Sequence, residues 1–287
     1  MDIRWLRTFV AAARYENFRH AAETLFLAQP TVTVHIKQLE NILGVSLFER
    51  KGRNIALSPA GRRFLPKAAG ILEMYDAGIH DLESWRQGYD RKLTLAVSPL
   101  IAASTLPWTL RRFVDRHPNI EVFVQVLESK DIAEAVNAGD ADLGLSRMGT
   151  KLSGLDCQKL EEEPVVLVAP HDGGDFESSP PVDAEQLLQE QLILTHNHPE
   201  YWDELLYELR NKYRSLRTMV VSQVHITKRF IEEGLGISFL PLSSVRRELL
   251  EGRLLEVHTE LIRLPTASTY LIRKTSTPES ESFVRLL

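Results

Sequence analysis

The stretch Ala21-Ala22-Glu23-Thr24-Leu25-Phe26-Leu27-Ala28-Gln29-Pro30-Thr31-Val32-Thr33-Val34-His35-Ile36-Lys37-Gln38-Leu39-Glu40 decides the fold of the chain's first part. From Gln29 onward, Val32, Ile36 and Leu39 recur at helical spacing, and Leu43 extends the stripe. The opposite face carries Thr31, Thr33, Val34, Lys37 and Gln38. Before the break, Phe18, Ala21, Ala22 and Leu25 outline another helix, with Asn17 placed to cap it. Phe26-Leu27-Ala28 is a short interruption, and Pro30 suits the first turn of the helix that follows, where its missing N–H costs nothing. Upstream, Ile3, Leu6, Phe9, Val10 and Ala13 give a first helix one apolar face. Two helices joined by a tight break, the second short in acids and rich in small polar groups, fit a helix-turn-helix. Small side chains let such a helix sit deep in a major groove, where hydroxyls and amides read base edges and Lys37 reaches phosphate or guanine. Periodicity alone leaves a plain helical hairpin equally open.

The next residues tilt that balance. Residues 45–50 form a candidate strand, Lys51-Gly52-Arg53-Asn54 a basic turn, and residues 55–57 the returning strand. A hairpin tipped by Arg50, Lys51 and Arg53, placed directly after a recognition helix, is a wing suited to phosphates or a minor groove. Residues 1–64 hold ten Lys/Arg against five Asp/Glu, a charge of +5 in a chain whose net charge is -5, so the remainder carries -10. A basic head on an acidic body suits a head that meets nucleic acid and a body that does not.

The run from Ala21 to Glu40, with Leu47-Phe48-Glu49-Arg50 and Leu57-Ser58-Pro59-Ala60-Gly61, resembles the signature of the LysR family of bacterial transcription regulators. The resemblance implies a winged helix-turn-helix whose Gln29, Pro30, Thr31, Thr33, Val34 and Lys37 face the major groove. Two positions depart from the family pattern. Ala28 stands where a serine usually caps the recognition helix. Val34 stands where a basic or amide residue is common, which leaves an apolar contact there, such as one to a thymine methyl.

Beyond the wing, Phe64, Ala68, Ile71, Tyr75, Gly78, Leu82 and Trp85 are spaced as a heptad seam. Packing against the protein's own body is compatible with that spacing. Two half-sites at a fixed distance favour dimerisation through Phe64, Ala68, Ile71, Tyr75, Leu82 and Trp85 instead, and the family resemblance implies a linker helix that pairs subunits as a homodimer or homotetramer.

From Lys92 the texture changes to short β runs alternating with helical stretches. Candidate strands cover residues 93–97, 120–126, 142–145, 165–169, 192–194, 218–221, 236–239 and 269–272. Helices are expected at 102–116, 130–138, 199–213 and 224–233. The alternation predicts an α/β domain with a mainly parallel sheet, and ligands of such sheets bind beyond the carboxyl ends of the strands. The resemblance implies a two-lobed, periplasmic-binding-protein-like effector domain. The expected organisation is 1–58 for the DNA-binding domain, 59–90 for the linker helix and 91–287 for the effector domain. Within the last, one lobe takes 91–164 plus 265–287 and the other 165–264.

The strand ends nominate effector contacts: Ser98, Leu100 and Ile101; Ser129; Arg147, able to clamp a carboxylate or to form an ion pair; Thr195, His196 and His198; Gln223 and His225. Hydroxyls, an Arg and several His suit an anionic small molecule, a di- or tricarboxylate. His196 and His198 lack a third ligand by spacing, so no metal is expected, nor any cofactor. Residues 195–205 (THNHPEYWDEL), 225–242 (HITKRFIEEGLGISFLPL) and 95–101 (LAVSPLI) further resemble members of the same family that repress citrate synthase genes. This implies a citrate synthase promoter as target, and the pathway and polar cleft then nominate citrate or a related acid as effector.

No Walker loop, HExxH or G-x-S-x-G occurs, so an enzyme is not expected. A DNA-binding architectural protein without an effector and a cytoplasmic solute-binding protein stay as alternatives. One cysteine, Cys157, and a charged, amphipathic N-terminus without an apolar core suggest a cytoplasmic protein with no membrane partner.

Overall fold

The computed structural model describes residues 1–51, 54–171, 182–213 and 215–287. The chain divides into two compact units, Met1–Gly88 and Tyr89–Leu287.

The first unit runs α1 (Ile3–Tyr15), α2 (Phe18–Thr24), α3 (Gln29–Leu43), β1 (Phe48–Lys51), β2 (Asn54–Leu57) and α4 (Pro59–Arg86). Each boundary has a local cause. The Asp2 side chain caps α1, and the Asn17 side chain accepts from the N–H groups of Arg19 and His20 to start α2. Gly44 ends α3 in the left-handed conformation. Ser58 caps α4. Leu6, Phe9, Ala21, Ala22, Val32, Ile36, Leu39 and Leu47 share one core, the apolar stripes read from the sequence. Strands β1 and β2 pair antiparallel, with Phe48 opposite Leu57 and Lys51 opposite Asn54. Helix α4 locks onto this hairpin at Gly61, where an added Cβ would lie 2.1 Å from the Leu47 carbonyl oxygen.

The heptad seam is corrected at its start. Ala68 is fully buried in the core of this same unit, and Phe64 packs against Phe9 with ring centroids 5.6 Å apart. Both are consumed by the head's own fold, because the first turns of α4 cover α1. The remaining seam residues, Ile71, Tyr75, Leu82 and Trp85, are exposed, together with Met74 and Ile79, which the heptad reading left out.

The second unit runs β3 (Arg91–Val97), α5 (Pro99–Ala103), α6 (Leu106–Arg116), β4 (Ile120–Val126), α7 (Ser129–Ala138), β5 (Leu143–Ser146), β6 (Asp156–Pro170) and α8 (Ala184–Glu190). It continues through β7 (Ile193–Thr195), α9 (Trp202–Lys212), β8 (Thr218–Val220), α10 (Val224–Glu232), β9 (Ser238–Pro241), α11 (Leu242–Leu250), β10 (Leu254–Val257), β11 (Thr266–Arg273) and α12 (Pro278–Val284). Strand β3 pairs parallel with β4 and β5, and β7 with β8. All pairings of β6 and β11 are antiparallel: β11 with β5 and with the first part of β6, and the last part of β6 with β9 and β10. The expected mainly parallel sheet is therefore mixed. The physical reason is that β6 carries the chain out of the β3–β4–β5 half and β11 brings it back, and two passages in opposite directions can pair only antiparallel. One core gathers Leu93, Leu95, Phe113, Leu143, Leu145 and Phe283. Another gathers Leu167, Trp202, Leu209, Ile237 and Phe239.

Candidate functional site

In the head, α3 presents Gln29, Pro30, Val34 and Lys37 to solvent, with Thr31 and Thr33 half-buried. These groups lie opposite the buried Val32, Ile36 and Leu39. The helix begins at Ala28, whose extended backbone offers no side-chain cap, so Gln29 opens the helix with a free N–H end. Just upstream, Phe26 adopts a left-handed φ of 54° while 95% exposed, a conformation that costs a bulky residue energy. Arg50 is exposed on β1. Lys51 belongs to that strand, but its side chain, like Arg53, lies outside the described residues.

In the second unit a cavity of about 670 Å³ opens between the loops that follow the strands. Eight of the ten expected effector contacts line it: Ser98, Leu100, Ser129, Arg147, His196, His198, Gln223 and His225. Two do not. Ile101 is buried among Leu93, Leu95 and Phe113, because the short helix α5 turns it inward. Thr195 is the last residue of β7 and bonds the Met219 carbonyl, so it supports the loop from behind. The sequence reading missed Lys228, Ser243, Ser244, Arg246 and Glu248, which line the same cavity. Ser243 and Ser244 follow the carboxyl end of β9, and the rule that nominated the other loops would have found them there.

The charges of the cavity are largely paired. Arg147, 1% exposed, donates from Nη1 to Glu163 Oε1 at 2.8 Å, and Glu163 Oε2 accepts from the Ser243 backbone N–H at 2.6 Å. Lys228 Nζ meets Glu248 Oε1 at 2.8 Å, and Arg247 Nε meets Glu251 Oε1 at 2.7 Å. Arg246 is exposed and has no ion pair among the described residues. Across the opening, Gln223 Nε2 donates to Glu128 Oε1 at 2.9 Å.

The loop after β7 is held by a buried amide. Asn197 Nδ2 bonds Ser238 Oγ at 2.9 Å, and its Oδ1 accepts from Trp202 Nε1 at 2.9 Å. Beside it, His196 takes a left-handed φ of 62°. His198 is 3% exposed and stacks on Tyr201 at 4.5 Å. Burial, reinforced by the nearby Arg147 charge, drives its pKa down to about 3. Its Nδ1 accepts from the Glu200 backbone N–H at 3.2 Å. The neutral ring therefore carries its proton on Nε2. Among the described residues His198 Nε2, Ser98 Oγ and Arg147 Nε are buried without a hydrogen-bond partner.

Two family models match the chain: a bacterial regulatory helix-turn-helix protein of the lysR family over residues 3–62, and a LysR substrate binding domain over residues 86–287. The HTH-type transcriptional regulator CitR of Bacillus subtilis (strain 168) is 49% identical over 287 residues, covering 100% of this chain and 98% of that protein. The HTH-type transcriptional regulator TfdS of Cupriavidus pinatubonensis is 29% identical over 94% of this chain and 92% of its own length. In fold, the chain is similar to full-length CbnR crystallised with its target DNA, at a TM-score of 0.70 and 23% identity, covering 100% of this chain and 98% of that one. It is also similar to Vibrio fischeri DarR in complex with DNA, at 0.64 and 21%, with the same coverage. Among the described residues no helix is long and apolar enough to cross a membrane.

Proposed function

Since the chain belongs to the LysR family of DNA-binding transcription regulators, and is not an enzyme, we propose how its two units divide that work. The head reads an operator through α3, with Gln29, Pro30, Thr31, Thr33, Val34 and Lys37 in the major groove and Arg50, Lys51 and Arg53 of the hairpin on the backbone or minor groove. Pairing of two copies runs along α4 through Ile71, Met74, Tyr75, Ile79, Leu82 and Trp85, an apolar strip long enough to exceed what a lone helix leaves in water. The second unit holds a small carboxylate effector in its cavity and so modulates promoter binding in the cytoplasm. The observation that carries the effector half is the lining itself: loops from both halves of the sheet place hydroxyls, imidazoles and guanidinium groups around one cavity.

Citrate, or a related acid, is the candidate effector, and a citrate synthase promoter the candidate target. The support is the 49% identity to CitR over the full chain together with the polar lining. The test is a mobility shift at fixed salt on a citrate synthase promoter and on the region upstream of the protein's own gene, with and without citrate, succinate and malate. Selective binding that an acid alters is the expected result. Selective binding indifferent to every acid discards the ligand class, and binding without sequence preference discards the operator reading.

A further inference from the structure

One turn along α11 from Ser244, about 6 Å further down the helix, the ion pairs of the cavity leave an acceptor over. Lys228 Nζ meets Glu248 Oε1 at 2.8 Å, and Arg253 Nη2 reaches the same oxygen at 3.4 Å. The other oxygen, Glu248 Oε2, is buried and has no hydrogen-bond partner among the described residues. Glu248 is only 6% exposed, yet it lines the cavity. The Ser244 hydroxyl does not answer it, because it donates to the Pro241 carbonyl. A buried acceptor without a donor costs free energy until something supplies one.

Lys228, which lines the cavity beside it, adds the complementary group. An ammonium carries three donors. One goes to Glu248 Oε1 and one to the Ser244 carbonyl oxygen at 2.9 Å, and among the described residues the third has no partner. A donor and an acceptor thus stand side by side on two side chains already joined as an ion pair. A carboxylate of a ligand would accept from Lys228 but has no proton for Oε2, and it would set two carboxylates together. An ammonium would donate to Oε2 but cannot accept from Lys228. It would also add a cation where Lys228 and Arg253 already face Glu248 and Glu232. A hydroxyl accepts from the one and donates to the other through a single atom, and brings no charge.

We infer that Glu248 and Lys228 form a hydroxyl-recognising subsite, so that the cavity prefers a hydroxy acid to the same acid without its hydroxyl. This rests on the reading that an acid occupies the cavity, but not on which residues take its carboxylates. Glu248 is the specificity-determining member. An acid that lacks the hydroxyl leaves Oε2 dry and unanswered, whereas a hydroxy acid answers it.

Titration calorimetry of the full chain with two pairs of acids tests this: citrate against tricarballylate, and malate against succinate. The second acid of each pair has a hydrogen in place of the hydroxyl. The wild-type protein binds the hydroxy acid about tenfold more tightly than its partner. Glu248→Gln keeps the shape of the side chain and the bond from Lys228 but puts an N–H donor where Oε2 accepted, and the ratio falls toward one. Because the readout is a ratio, a variant that is merely loosened weakens both acids alike and leaves the ratio at its wild-type value. Equal affinity of the wild-type protein for both members of a pair, or an unchanged ratio in Glu248→Gln, overturns the subsite while the effector reading stands. Binding of none of the four acids overturns the effector reading and the subsite with it.

Discussion

Helix α3 and the cavity of the second unit are built from the same kinds of polar group, and the fold treats them in opposite ways. Gln29 and Lys37 stand exposed, and Thr31 and Thr33 half-buried, on a surface shared with Pro30 and Val34, with the core residues behind them. Ser98, Arg147 and His198 are withdrawn from solvent, their charge settled internally or suppressed. A surface that meets a polyanion gains from open, flexible donors and from net positive charge. A pocket that must distinguish one small molecule from another gains from donors held dry, because an unpaired buried group penalises every ligand that fails to answer it.

The contrast can be broken most severely at Arg147. Replacing it with Ala leaves Glu163 buried with only Ser243 to answer it, and should cost about 3–5 kcal/mol in the second unit. Denaturation followed separately in the two units checks this: the second unit's transition moves and the head's does not. A uniform shift would mean that the two are not energetically separate.

Acidity should divide the two regions next. Above about pH 6.5 His198 is neutral folded or unfolded. As pH falls from 6.5 toward about 3, the unfolded chain takes up a proton that the folded one refuses. Stability of the second unit therefore declines by about 1.4 kcal/mol per pH unit across that window from this group. Urea titrations of wild type and His198→Phe at pH 7 and pH 5 measure it, since the variant lacks this dependence.

The smallest change is a gain. Ala28→Ser supplies the missing cap of α3, for which the backbone at φ -73° and ψ 138° is already set, and should stabilise the head by about 1 kcal/mol. A rise in the head's melting temperature with the second unit unmoved is the expected outcome; no rise would mean that the α3 N–H groups already have other partners.

The same contrast explains what was legible. The head is local: Asn17, Pro30 and the stripe of Val32, Ile36 and Leu39 declare their roles within a few residues, and the structure places each where spacing put it. The heptad misled at Phe64 and Ala68 because spacing shows that a face is apolar, not what covers it. In the second unit most of the residues that the strand-end rule nominated line the cavity. The rule could not find Glu163, which sits within β6, is 16 residues from Arg147, and becomes its partner only once β6 and β11 are laid side by side. Nor could it tell Ile101 from Leu100, adjacent residues of a short helix of which one enters the core and the other the cavity. Sheet direction was misjudged for a related reason: alternation of strands and helices says nothing of a strand that leaves one half and another that returns.

Strand β6 runs unbroken from Asp156 to Pro170, bonded to β11 along its first part and to β9 and β10 along its last. Its register against β11 shifts once, where Leu160 is passed over between Lys159 and Glu161, and beyond that point its side chains alternate between faces on one count. Deleting a single codon near its middle would therefore keep one ladder in frame and turn every later residue to the wrong face, putting Glu163 or the buried Val165 and Leu167 where the other belongs. Exposed loops tolerate changes in length; this strand, for the same reason that it unites two halves, is where the gene can least afford one.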